Sequence, residues 1–229
     1  MRIDKFLSHL KYGSRKEIKD FLHKEVVLVN NTRIFNVAHI IDPTLDNIML
    51  NGVKIFYQDP IHLMINKPEG YLSVHRDPIH PCIMSLLKEP YSRFDYVIAG
   101  RLDLDASGLL ILTSDGQFAH QIMSPRHHIE KIYQVELNKH FRNQKKLLEG
   151  VIINDGGHQS YHAKALRIES EENRVTITID EGKFHQVKRI FIAVGYEVIS
   201  LKRIQIGKLK LEDLSPGAYA PFRKEDLYD

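Results

Sequence analysis

The sequence has one cysteine and no tryptophan in 229 residues. A lone cysteine excludes an internal disulfide and a cysteine-based structural zinc site, and it fits a reducing cytoplasm. Cys82 therefore reads as a small core residue rather than a nucleophile. No apolar run is long enough to cross a bilayer, and Met1-Arg2-Ile3-Asp4 opens without a signal-peptide pattern, so neither membrane insertion nor export is expected. His75 with His80, and His127 with His128, lack metal-ligand spacing, and there is no glycine-rich phosphate loop. No metal and no organic cofactor are expected. Internal repeats and low-complexity segments are missing too. Charge of one sign is scarce: 32 lysines and arginines face 29 acidic residues, a net +3.

What excess there is lies at one end. Residues 1–57 hold nine basic residues against six acidic ones, an excess of three that equals that of the whole chain. Phosphate backbones attract such a module, although a solvated surface has the same composition. Hydrophobic content of 43% and charged content of 27% suit a globular protein with one large domain or two unequal ones. Ile3, Phe6, Leu7 and Leu10 have helical spacing. Ser14 caps a second helix, with Glu17 in position to answer it and Ile18, Phe21 and Leu22 on the apolar face. Arg2, Lys5, Arg15, Lys16 and Lys19 fall on the polar surface. Val26–Val29 reads as a strand, Asn30-Asn31 as a turn, and Ile48–Ile55 as a strand-turn segment around Asn51-Gly52. Asp59-Pro60 is a linker signal, so the expected domains are 1–57 and 61–229.

In the second domain, Ile61–Lys67 is an apolar strand ended by Pro68-Glu69-Gly70, with Lys67 expected near the surface of that turn. The chain is organised around Ala99–Gly116. Gly100 and Gly108 bracket Arg101, Asp103 and Asp105, which share a face in an extended segment while Leu102 and Leu104 take the other. Leu109–Thr113 reads as a buried strand, and Ser114-Asp115-Gly116 caps a helix over Gln117–Met123. From spacing alone this is equally a polar loop with a surface ion pair or a site. Further on, Arg126, His127 and His128 make a small basic patch, and Lys131 and Tyr133 lie on one face of a strand. His140–Gly150 reads as a helix, and Ala163–Ile168 and Arg174–Ile179 as a hairpin. The turn at Gly182 leads into a helix that is basic at its start, apolar at its end and closed by Gly195, and Leu201–Leu211 reads as closing strands.

Gly-Arg-Leu-Asp at 100–103, Gly-Leu-Leu at 108–110 and Thr-Ser-Asp-Gly at 113–116 resemble the catalytic motif of the RNA pseudouridine synthases, within these the group that modifies ribosomal RNA. Asn66-Lys67-Pro68, Glu130-Lys131-Ile132-Tyr133, and Gly182 through His185-Gln186-Val187-Lys188-Arg189 match further segments of that family. Arg-Ile-Asp-Lys-Phe-Leu at 2–7, Ser14-Arg15 and Val27-Leu28-Val29-Asn30 resemble an S4-type RNA-binding domain. Ser124–His128 is closer to the enzyme for small-subunit (16S) ribosomal RNA than to its large-subunit relatives.

The resemblance implies an α+β fold: an S4-like module, then a catalytic domain on a mixed, mostly antiparallel sheet. It implies a cytoplasmic, monomeric isomerase that converts a uridine of ribosomal RNA to pseudouridine without cofactor. The essential carboxylate is Asp103, acting as nucleophile at the sugar or as base at its 2′ carbon. Lys188 is its cationic partner, with Arg189 as the competitor. Tyr133 stacks on the uracil and Arg101 holds the extruded nucleotide. Arg2, Lys5, Arg15, Lys16, Lys19, Arg126, Arg189 and Arg203 are the expected RNA contacts; Gln205, where relatives carry a second arginine, removes one. The alternatives are a large-subunit or transfer RNA synthase, and a non-catalytic RNA-binding assembly factor.

Overall fold

The computed structural model describes residues 1–154, 157 and 159–228. The described residues form two compact units, divided between Asp59 and Pro60. The first comprises Met1–Asp59 together with Lys88–Asp95. Its helices α1 (Ile3–His9) and α2 (Glu17–Lys24) pack on strands β1 (Val27–Val29), β2 (Thr32–Arg33), β3 (Ile48–Leu50) and β4 (Val53–Lys54), an antiparallel sheet ordered β2-β1-β3-β4. Ile3, Phe6, Leu7, Leu10, Ile18 and Leu22 are fully buried, as their helical spacing requires. Ser14 and Glu17 bond reciprocally: the Ser14 N–H donates to Glu17 Oε2 at 2.8 Å and the Glu17 N–H to Ser14 Oγ at 3.5 Å.

The excursion Lys88–Asp95 departs from the linear boundary expected at 57–61. Its Tyr91 and Phe94 rings sit 5.2 and 6.3 Å from that of Phe56, and the Arg93 guanidinium lies 4.7 Å over Tyr12. Aromatic packing across more than 30 residues of chain leaves no local pattern to read.

The second unit is built on β5 (His62–Lys67), β6 (Val97–Ala99), β7 (Ser107–Thr113), β8 (Lys131–Leu137), the pair β9 (Val151–Asn154) and β10 (Ser160–Ala163), then β11 (Arg167–Glu171), β12 (Arg174–Ile179), β13 (Val198–Ile206), β14 (Leu209–Lys210) and β15 (Tyr219–Pro221). Helices α3 (Gly116–Met123), α4 (Gln144–Glu149) and α5 (Gln186–Ala193) complete it. The large sheet runs β11-β12-β8-β13-β7-β5-β15, and among the described residues only β13 and β7 pair in parallel within it. It is α+β with a mixed, mostly antiparallel sheet, as expected. Residues 109–113 of β7 are all buried, whereas β8 alternates buried and exposed after Ile132; a central strand covered on both faces reads as a run, a half-covered one alternates. Asp115 caps α3 through its carboxylate, accepting from the N–H groups of Gln117 and Phe118 at 2.9 and 3.0 Å.

Two expected elements differ. The helix at 140–150 shrinks to Gln144–Glu149 because Phe141 turns into the core against Phe191 and Tyr196, and its N–H bonds Glu172 O at 2.8 Å. The strand at 163–168 splits because the Ala165 N–H goes to Leu147 O at 2.9 Å, leaving β10 to end at Ala163 and β11 to begin at Arg167.

Gly108 shows why the central motif needs glycine there. Its φ is +105°, and a Cβ would fall 2.2 Å from the Arg203 carbonyl oxygen on the paired strand. Gly108→Ala is expected to lower stability by about 3 kcal/mol or more, combining left-handed strain with overpacking. A denaturant midpoint equal to wild type contradicts this.

Candidate active site

The central motif leaves β6 at Ala99 and loops over 100–106 before entering β7. Ser73 and Lys67 pin that loop from below. The Ser73 hydroxyl donates to Leu102 O at 2.8 Å and accepts from the Leu102 N–H at 3.1 Å. Lys67 is completely buried, and its ammonium donates to Ala106 O at 2.6 Å, Pro68 O at 3.0 Å and Leu104 O at 3.4 Å. Burial pulls the Lys67 ammonium down to about 8, against the opposing field of the Asp103 carboxylate. Lys67 was expected near the turn surface. It is instead the strap beneath the loop, because β5 is buried along both faces up to its last residue.

Pinned in this way, the loop presents Asp103 to the start of α5. His185 Nε2 lies 3.2 Å from Asp103 Oδ1, and Lys188 Nζ lies 3.7 Å from Oδ2. Lys188 also donates to Asp105 Oδ1, a bond that holds the Asp105 carboxyl below its usual range. Lys188 thus bridges two carboxylates and fixes the orientation of α5 against the loop. Arg189, the competing cation, turns away: its Nη1 donates to Asn154 O at 2.6 Å and to Asn154 Oδ1 at 3.0 Å. The approach of α5 is set by the tight turn before it, where Gln186 is buried and joins Glu181 Oε2 at 2.8 Å to the Lys183 N–H at 3.1 Å.

Asp103 opens onto a cleft of about 490 Å³ within the second unit, lined among others by Arg101, Lys131, Tyr133, Phe184 and Arg203, a size suited to a small polar ligand. Tyr133 is 6% exposed and lines the cleft. Arg101 is exposed, and no hydrogen bond or ion pair among the described residues engages it. Arg203 corrects the sequence reading. It is 1% exposed, with Nε on Leu109 O at 2.7 Å, Nη2 on Gly100 O at 2.6 Å and Nη1 on the Tyr133 hydroxyl at 3.4 Å. It is no surface phosphate contact. It is the internal tie that joins the motif loop, β7 and the tyrosine. Gln205 bonds Gly207 O at 2.7 Å.

The remaining expected contacts are exposed: Arg126 in the turn after α3, and Arg2, Lys5, Arg15, Lys16 and Lys19 in the first unit. Arg2 and Arg15 converge on the buried Asp4, at 2.9 and 3.2 Å. Burial works to raise the Asp4 carboxyl, but the two arginines together with the Lys5 N–H outweigh it and hold it below its usual range. His185 was missed as a site residue. It precedes α5 in a left-handed conformation, φ +51°, which helical spacing to Lys188 does not reveal. Among the described residues no cluster of ligating side chains holds a metal-like geometry, and no helix is long and apolar enough to cross a membrane.

A carboxylate, a lysine and a tyrosine around one cleft on this sheet define a class. The sequence pattern described as RNA pseudouridylate synthase matches residues 61–193, and the chain belongs to that family: it is an RNA pseudouridine synthase, an isomerase of uridine in RNA. The similarity to particular relatives runs end to end. The chain is 39% identical over 233 residues to the uncharacterized RNA pseudouridine synthase YtzG of Bacillus subtilis (strain 168), covering 100% of this chain and 97% of the relative. It is 36% identical over 242 residues to ribosomal small subunit pseudouridine synthase A of Escherichia coli (strain K12), covering 99% and 98%. A solved structure described as a pseudouridylate synthase superposes with a TM-score of 0.66 at 31% identity, covering 99% of this chain and 98% of that one.

Proposed function

We propose that the protein isomerises one specific uridine of 16S ribosomal RNA, with Asp103 as the essential carboxylate and no cofactor. The observation that carries the reading is similarity across nearly the whole chain, N-terminal unit included, to relatives named for the ribosomal small subunit. An S4-like role for the first unit agrees with its charge excess and its row of exposed cations. A ribosomal substrate implies work in the cytoplasm, and we propose that one chain suffices.

The uridine flips out of its stack into the cleft and its uracil lies on Tyr133. Asp103 then acts at the sugar, as nucleophile at C1′ or as base at C2′, and the bond from C1′ to N1 breaks. Carboxylates perform covalent work at sugar carbons in other enzymes. The base turns and rejoins through C5. Lys188 and His185 keep the carboxylate aimed while the base moves. Arg101, exposed and unpaired at the lip, takes the phosphate of the extruded nucleotide. Arg126 and the remaining N–H groups of Arg189 meet flanking phosphates.

The test is pseudouridine mapping of ribosomal RNA from cells lacking this protein. One small-subunit position is expected to lose its pseudouridine and to regain it when the chain is supplied. Loss at a large-subunit or transfer RNA position overturns the assignment. For the first unit, replacing Arg15, Lys16 and Lys19 by glutamine is expected to weaken RNA binding and to make the slope of log K against log salt shallower by about 2 to 3. Filter binding across a salt series reads this, and an unchanged slope counts against an RNA role for that face.

A further inference from the structure

One buried cation in the cleft has no part in the chemistry so far. Lys131 opens β8, is 5% exposed and lines the cleft. It stands two residues before Tyr133, so both side chains project from one face of the strand. A Cβ on Gly182, across the cleft wall, would already touch Lys131 Cε at 3.8 Å. The ammonium donates to Ile129 O at 2.8 Å, and no second acceptor engages it among the described residues. Arg101 at the lip apart, the neighbouring cations are occupied. Arg203 has two carbonyls and a phenol, Lys188 two carboxylates, and Lys183 pairs with Glu181 and lies 3.5 Å from the Tyr161 ring centre. A buried ammonium with N–H groups to spare is unfavourable unless a ligand accepts from them.

We propose that Lys131 is a catalytic residue that donates to a carbonyl oxygen of the flipped uracil and stabilises the negative charge the base carries while detached from the ribose. This rests on the reading that Asp103 acts on a uridine in this cleft. When the C1′–N1 bond breaks, its electron pair stays on the uracil, spread over N1 and the two carbonyl oxygens. The C1′–C5 bond then forms, the C5 proton leaves and N1 gains one, so substrate and product contain the same atoms. Lys131 transfers nothing; it is a fixed and nearly buried donor where charge develops. Burial lowers its ammonium to about 8; Arg203 from β13 pushes the same way, and Asp180 after β12, itself 2.7 Å from His128, opposes. The cation is therefore present below that pH and lost above it.

The experiment compares wild type, Lys131→Met, Lys131→Arg and Asp103→Asn on ribosomal RNA, measuring turnover, RNA affinity and thermal midpoint. Lys131→Met is expected to lose about 100- to 1,000-fold in kcat with RNA affinity near wild type, and Lys131→Arg to recover most of the loss. For wild type, kcat/KM is expected to fall above about pH 8, and in Lys131→Arg, whose guanidinium does not titrate there, to fall less steeply, because only Lys67 beneath the motif loop, also near 8, still loses its charge. Turnover by Lys131→Met close to wild type, a wild-type profile flat to about pH 9, or an alkaline fall as steep in an active Lys131→Arg as in wild type overturns the proposal. An inactive wild type overturns the reading beneath it instead.

Discussion

Replacing Asp103 by asparagine is expected to abolish turnover, by about 10⁴-fold or more, while RNA affinity stays near that of wild type. The substitution keeps the shape of the side chain and one oxygen toward His185, but removes the charge and the reactive oxygen. Lys188 is not left stranded, because it still donates to Asp105 Oδ1. The loop itself is held by Ser73 and Lys67, neither of which bonds the Asp103 side chain. The fold should therefore survive, and the loss falls on chemistry alone. Single-turnover pseudouridine formation, set beside filter binding, separates the two. A variant that keeps a tenth of wild-type turnover removes Asp103 from the role assigned to it.

The second large effect is on stability. Arg203→Met is expected to destabilise the second unit by about 3 to 5 kcal/mol, a fall in thermal midpoint on the order of 10 °C. Methionine matches much of the volume but leaves Leu109 O, Gly100 O and the Tyr133 hydroxyl without their donor in a buried setting. The release of Gly100 also frees the loop that aims Asp103, so activity falls with stability. A phosphate-binding arginine behaves in the opposite way: its loss leaves the midpoint unchanged and makes the salt dependence shallower by about one. Calorimetry and a salt series on the same variant distinguish these outcomes.

Much of this site is legible in the residues themselves. The glycines at 100 and 108, the carboxylate between them and the apolar run of β7 mark a loop entering a buried strand. The Ser114-Asp115-Gly116 signal gives the cap of α3 because capping is local. What escaped was what depends on distant partners. Arg203 shares the inward face of β13 with Leu201, and that alternation was readable, but a charged residue is ordinarily taken to face water. Its burial becomes reasonable only when two carbonyls and a phenol from three other segments are brought around it. Lys67 escaped for the same reason, since two of its three acceptors, Leu104 O and Ala106 O, lie nearly 40 residues downstream. His185 sits in a left-handed conformation at the start of α5, with φ +51°, a backbone state that spacing rules do not foresee. Lys88–Asp95 joins the first unit through ring packing on Phe56 and Tyr12.

The most direct test of the central claim is tritium release from small-subunit ribosomal RNA labelled at uracil C5, with wild type and Asp103→Asn side by side and large-subunit RNA as the control. Release by wild type from small-subunit RNA alone, with none from Asp103→Asn, is the expected result. Release confined to large-subunit RNA, or equal release by the asparagine variant, contradicts it.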